Sequence, residues 1–140
     1  MEDGDFSAPA PGLAHAFAMK AERGEPVDIG LTATGGRRSQ VPVIGGSFVG
    51  SGLNGTLVGG SELLLERADG VTVIEANYYI AFTNGAAARC FGTGYRTGGG
   101  TRLSLLFEAA EGGPVAELAT RAFLAELPDG AGVTTIARIT

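Results

Sequence analysis

The sequence has almost none of the residues from which most metal and nucleophile sites are built. Among 140 residues there is one cysteine, one histidine and no tryptophan. Cys90 alone supports no intrachain disulfide framework, and with one histidine it does not make a zinc set. It reads as a small buried hydrophobe. Positive charge is also scarce: 10 Lys and Arg stand against 15 Asp and Glu, a net charge of -5. The densest basic spot is Gly36–Arg38, far from the stripe that phosphate backbones require, so nucleic acid is not an expected partner. No apolar run approaches the roughly 18 residues of a membrane-spanning helix, so no membrane partner is expected. The first residues, MEDGDFSAPAPG, lack the basic start and apolar centre of a secretory leader. They read as a loose tail over residues 1–12, and the expected location is cytoplasmic.

What the chain has in plenty is glycine, 24 residues without a strict period. GSGLNG, Gly50–Gly55, matches the G-x-G-x-x-G dinucleotide pattern, and Glu75 lies about 20 positions on, where an acid is wanted. The pattern also needs a helix directly after the third glycine. Instead come Thr56-Leu57-Val58-Gly59-Gly60, where two glycines in the second turn would cost about 2 kcal/mol against alanines. Hairpin signals follow, with no strand–helix–strand rhythm. The glycines are therefore read as bends, bulges and close backbone approaches, and no cofactor is expected.

Short apolar runs between tight turns fill the rest. In Leu13–Lys20, alternation puts Leu13, His15, Phe17 and Met19 on one strand face. Val27–Thr34 and Arg37–Ile44 are further strands, the latter at an edge or bulge because Pro42 cannot donate. Asp69-Gly70 and Asn84-Gly85 are hairpin turns flanking the long strand Val71–Thr83. Ala86–Thr93, Arg102–Glu108 and Val133–Ile139 follow as strands. Pro114–Leu127 is open: Pro114, its alanines and the Glu117/Arg121 spacing suit a short helix, while Phe123 and Leu124 also suit a strand. The expectation is an all-β fold: one antiparallel up-and-down barrel of eight to ten strands over residues 13–140, possessing at most one short helix.

The stretch from Gly35 to Gly85 resembles a family of small, mostly microbial proteins catalogued only as a domain of unknown function. The resemblance rests on an Arg-containing strand, Pro42-Val43-Ile44-Gly45-Gly46, the glycines through Gly60 and the Asp-Gly hairpin, and it extends from about Phe17 to Ile139. It implies a single calycin-like β-barrel and little about activity. Where the family pattern has Gly-Gly-Ala-Asp-Trp, this chain has Gly59-Gly60-Ser61-Glu62-Leu63. Where it has Asp-Ala-Arg-Tyr, this chain has Glu75-Ala76-Asn77-Tyr78. Both acids are kept with one extra methylene and two bulky groups shrink, which implies a reshaped interior.

An eight-strand barrel either fills its interior with side chains or holds one small ligand. The polar face of Val71–Thr83 is the candidate lining: Glu75 as acid/base, with Asn77 and Tyr79 polarising an oxygen, at steps of ~7 Å. The alternative turns those three to water and fills the core with Ile74, Tyr78, Ile80 and Phe82. Glu62, Arg37, Arg89, His15, Phe91 and Tyr95 are the candidate substrate contacts. A two-residue turn at Asn84-Gly85 would pair Ile80 with Arg89, opposite Tyr79; a bulge would reverse this. Arg37 or Arg38 is a candidate partner for Glu62 or Glu75. With no metal set or cofactor motif, the expected function is a cofactor-independent isomerase, cyclase or lyase acting on a small organic substrate in the lumen, in secondary-metabolite biosynthesis. A homo-oligomer is expected. The alternatives are a non-catalytic ligand-binding barrel, or a structural module using Tyr78, Ile80 and Phe82 as its oligomer interface.

Overall fold

The computed structural model describes residues 9–140, so most of the expected tail lies outside the described residues. Nine strands follow one another: β1 (Leu13–Arg23), β2 (Val27–Leu31), β3 (Arg37–Gly50), β4 (Leu53–Glu66), β5 (Thr72–Phe82), β6 (Ala87–Thr97), β7 (Gly100–Ala109), β8 (Phe123–Pro128) and β9 (Thr134–Ile139). From β2 to β9 each strand pairs antiparallel with the next, and β1 pairs with both β9 and β3. That closes β1 and β3–β9 into an eight-strand barrel, which removes the exposed sheet edges. β2 pairs only with the start of β3 and forms a ribbon beside one rim. The open segment Pro114–Leu127 resolves into a 3-10 turn at Ala116–Thr120 and then β8. Val115, in front of that turn, is buried in the core, so the β7–β8 connection folds over one barrel end.

The GSGLNG segment is the β3–β4 hairpin. Gly50 pairs with Leu53 across a two-residue turn, with Ser51 at φ 51° and Gly52 at φ 75°. Both positive angles fit a type I′ turn. A Cβ on Gly50 would lie 2.0 Å from the Ala16 carbonyl oxygen. Gly60 has the same constraint one strand later, with φ 136° and a built Cβ 2.1 Å from the Asn77 carbonyl oxygen. The glycines thus let neighbouring strands approach where the barrel wall bends.

The interior divides into two halves. The half under the β7–β8 connection is filled by Phe17, Phe48, Phe82, Phe107 and Phe123. Phe17 and Phe48 lie 4.6 Å apart between ring centroids, and Phe107 and Phe123 4.9 Å. The first pair is tilted at 35° and the second edge-to-face at 74°; an edge-to-face pair adds about 0.5–1.5 kcal/mol beyond its burial. Leu57, Ile80, Leu105 and Ile136 complete the plug. The other half, toward the β2 ribbon, holds the buried polar residues Glu62, Thr72, Thr101 and Thr134.

Two local features change the faces expected from strict alternation. β1 carries a bulge between His15 and Phe17, so His15 pairs with Ala137 while Phe17 pairs with Ile136. His15 therefore leaves the face of Phe17 and Met19 and is exposed. At Asn84-Gly85 the turn takes three residues: Phe82 N–H donates to Ala86 O at 2.8 Å, and Gly85 has φ 86°. Tyr79 then pairs with Arg89, and Tyr78 with Cys90. Arg89 shares the outer face of Tyr79. Tyr78, Ile80 and Phe82, the strip considered as an interface, are buried in the lumen.

Candidate functional site at the barrel mouth

The polar half of the lumen is built around one carboxylate. Glu62 lies on the inner face of β4, opposite Ala76 of β5, and its side chain is 7% exposed. Arg23, the last residue of β1, reaches it with one edge of the guanidinium: Nε donates to Oε1 at 2.7 Å and Nη2 to Oε2 at 2.9 Å. From β5, the Tyr78 hydroxyl donates to Oε2 at 2.5 Å. These are charge-assisted bonds, about twice as strong as neutral ones. Arg96, opposite Thr72 across the β5–β6 ladder, donates from Nε to Thr101 Oγ1 at 3.2 Å.

Burial pushes the Glu62 carboxyl upward. The hydrogen bonds from Arg23 and Tyr78 and the positive charge of Arg23 outweigh burial and hold it below the usual carboxylate range. Arg23 is raised by the same hydrogen bond. Tyr78 is pushed far up, first by burial and then by the Glu62 charge beside it. At neutral pH the cluster is therefore carboxylate, guanidinium and neutral phenol. Its acceptor is Glu62, whose oxygens keep spare lone pairs. Its donors toward the mouth are on Arg23, whose side chain is 34% exposed, and on Arg96. Between these groups and Met19, Ile74 and Leu103 lies a space of about 20 Å³, room for about one water molecule. A larger guest meets this cluster from the mouth and does not enter the lumen.

The sequence-derived candidates fall in four places. Glu62 is in the lumen. Glu75, Asn77 and Tyr79 lie on the outer face of β5, and Glu75 and Tyr79 are exposed. The expected lining of the lumen by these three is thus corrected. The inner face of β5 is Thr72, Ile74, Ala76, Tyr78, Ile80 and Phe82, because the apolar face of a half-buried strand turns to the core. Arg89 does meet Asn77, donating from Nε to Oδ1 at 2.6 Å, and it bridges to Glu108 at 2.7 Å and stacks over the Phe91 ring at 4.1 Å. That cluster is on the outer wall. Tyr95 is also on the outer wall and exposed. Arg37 pairs with Asp28 at 2.5 Å in the β2 ribbon, away from Glu62 and Glu75. His15 sits at the opposite barrel end, beside the β7–β8 connection. Among the described residues there is no cluster of three or more His, Cys, Asp or Glu side chains placed to hold a metal ion. Among the described residues no helix is long and apolar enough to cross a membrane.

Three members of the site, Arg23, Tyr78 and Arg96, were absent from the expected set. The signal for Tyr78 is its position on the apolar side of β5. For Arg23 it is the alternation Phe17, Met19, Ala21, Arg23, which holds once the bulge at Ala16 is passed. Nothing local marks Arg96.

The sequence pattern of DUF3237, described as a protein of unknown function, matches residues 11–123. The chain belongs to this family. A UPF0311 protein from Clostridium acetobutylicum is 34% identical over 82 residues, 58% of this chain and 52% of that protein. The aligned stretch thus spans about half the length of that curated relative. Among solved structures, a conserved protein of unknown function from Rhodopseudomonas palustris superposes with a TM-score of 0.84 at 21% identity, over 95% of this chain and all of that one. A protein from Penicillium herquei described as an enzyme superposes with a TM-score of 0.79 at 20% identity, over 96% of this chain and 98% of that one. At these identities the likeness is one of fold. In this DUF3237 chain, the acid of the Gly-Gly-x-acid segment is the lumen carboxylate.

Proposed function

We propose that this DUF3237 chain is a small-molecule enzyme of the isomerase, cyclase or lyase type, with its substrate held at the barrel mouth against Glu62, Arg23 and Arg96. The observation that carries the reading is the buried charge itself. An ionised carboxylate inside a barrel is costly to desolvate, and an apolar core of the same volume is often as stable or more so. Reactions that only relocate a proton need one acceptor and donors for an oxygen that gains negative charge. Glu62 is the acceptor. Arg23 and Arg96 face the oxygen, and Tyr78 stays protonated and orients the carboxylate. In an isomerisation or cyclisation a proton leaves a C–H or O–H of the substrate for Glu62 and returns to another atom of the same molecule, so nothing is added or lost; in a lyase step the proton goes instead to the leaving group, which departs with the electron pair of the broken bond. The enzyme of similar fold from Penicillium herquei supports a catalytic reading. The setting we propose is biosynthesis of a secondary metabolite.

A second reading, a binding barrel without turnover, is favoured by one specific observation. Both Glu62 oxygens already accept hydrogen bonds and the carboxyl is held low, which weakens it as a base. The two separate in deuterium oxide. The purified chain is incubated with a panel of enolisable ketones and hydroxy-enones, and deuterium uptake into each compound is read by mass spectrometry. The enzyme reading expects protein-dependent uptake that is lost in Glu62→Gln. Binding by calorimetry with no uptake in any compound supports the carrier and ends the catalytic reading.

A further inference from the structure

At the barrel end opposite Glu62, the β7–β8 connection does not close flush on the wall. It leaves a cavity of about 340 Å³, within the range of small-molecule sites. The stacked phenylalanines separate it from the mouth. Its floor is apolar: Phe17 and Phe123 from the plug, Leu53 from β4 and Val115 from the connection. Its charged and titratable lining is Arg138, Arg121, Glu117 and His15.

The charges are unbalanced toward positive. Glu117 holds Arg121 through an exposed contact of 3.4 Å, the loosest ion pair among the described residues. Arg138 enters no ion pair among the described residues. It lies near the end of β9, opposite Ala14 and Phe123. Its Nε is buried and is the one side-chain polar atom among the described residues that is buried without a hydrogen-bond partner. Leaving such a buried donor unmade is destabilising. Two guanidiniums against one carboxylate, on a chain of net charge -5, make this a local positive site over an apolar floor.

We propose that this cavity is a second binding site, separate from the mouth, for a small organic carboxylate with an apolar body. The guanidinium of Arg138 takes the carboxylate, as its planar fork suits. Arg121 adds a second, exposed positive charge. The hydrocarbon part covers Phe17, Phe123, Leu53 and Val115. The proposal uses no residue of the Glu62 cluster and stands or falls independently of the catalytic reading.

The test uses the full chain with benzoate and hexanoate as probes, and benzamide as the uncharged counterpart of benzoate. Saturable binding is read by calorimetry, and its location by backbone amide shifts in labelled protein. The expected result is binding of the carboxylates at least tenfold tighter than benzamide, with shifts clustered at Val115–Phe123 and around Arg138. Arg138→Gln is expected to weaken the carboxylates tenfold or more. Arg121→Gln, at an exposed position that leaves the core untouched, is expected to weaken them a few-fold, and Glu62→Gln to leave them unchanged. If Arg138→Gln does not fold, the amide shifts and Arg121→Gln decide. Equal affinity for benzamide and benzoate, shifts clustered at Arg23 and Arg96, or no saturable binding would each overturn the proposal.

Discussion

Replacing Tyr78 by phenylalanine removes one oxygen and leaves the ring in place. In the native protein that oxygen donates to Glu62 at 2.5 Å, and the tyrosine is 1% exposed. A hydrogen bond to a charged group contributes about 1.5–3 kcal/mol. The adjoining space of about 20 Å³ has room for about one water molecule, which recovers only part of that loss. The expected loss at pH 7 is therefore about 2 kcal/mol, or a fall in Tm of roughly 6 °C for a domain of this size. The pH dependence adds a sharper constraint. The folded Glu62 carboxyl is lower than the unfolded one, so its stabilisation is present above about pH 4.3 and is lost as pH falls through the folded value. Once Glu62 is protonated, its bond with Tyr78 becomes a neutral one of about 1 kcal/mol. The gap between native and Tyr78→Phe stabilities should thus be full at pH 7 and shrink by about half in strong acid. Urea unfolding of both proteins at pH 7 and below pH 3, at fixed ionic strength, measures it. A variant within 0.5 kcal/mol of the native protein at pH 7, or a gap that does not change with pH, would refute the reasoning.

Other outcomes follow from the same contacts. Arg23→Gln leaves Glu62 buried without its cation; because Arg23 is partly exposed, the loss should fall near the lower end of the 3–5 kcal/mol range, about 3 kcal/mol by urea unfolding. Glu75→Gln changes an exposed outer position and should move stability by less than about 0.5 kcal/mol. Phe48→Ala should cost about 3–5 kcal/mol in the same assay, because it opens the centre of the aromatic plug. The Cys90 thiol is pushed up to about 12, chiefly by burial. It should therefore resist a thiol reagent at pH 8 until the protein unfolds, with labelling read by mass spectrometry.

The barrel was legible because its signals are local. Asp69-Gly70 and Asn84-Gly85 mark hairpins by turn chemistry, and the alternation in Thr72–Phe82 marks a strand buried on one side. The site was less legible because it depends on which side that is. A carboxylate in a family-like motif drew attention to Glu75, yet Ile74, Ile80 and Phe82 need the core, and they carry Tyr78 inward with them. Glu62 is among the expected substrate contacts, with Arg37 or Arg38 as its expected partner. The actual partner, Arg23, is 39 positions away and meets it only after the barrel closes. Two one-residue irregularities, the bulge at Ala16 and the three-residue turn after Phe82, reversed the faces of His15 and Arg89. Each shifts side-chain direction by one step, which strict alternation does not anticipate.

Solvent-deuterium uptake by Glu62→Gln and Glu75→Gln, side by side with the native chain and the same ketone panel, tests the assignment of the site most directly. If the mouth carboxylate is the proton acceptor, the first variant loses uptake while folding normally, and the second retains it. Full uptake in Glu62→Gln, or its loss in Glu75→Gln, would contradict the assignment.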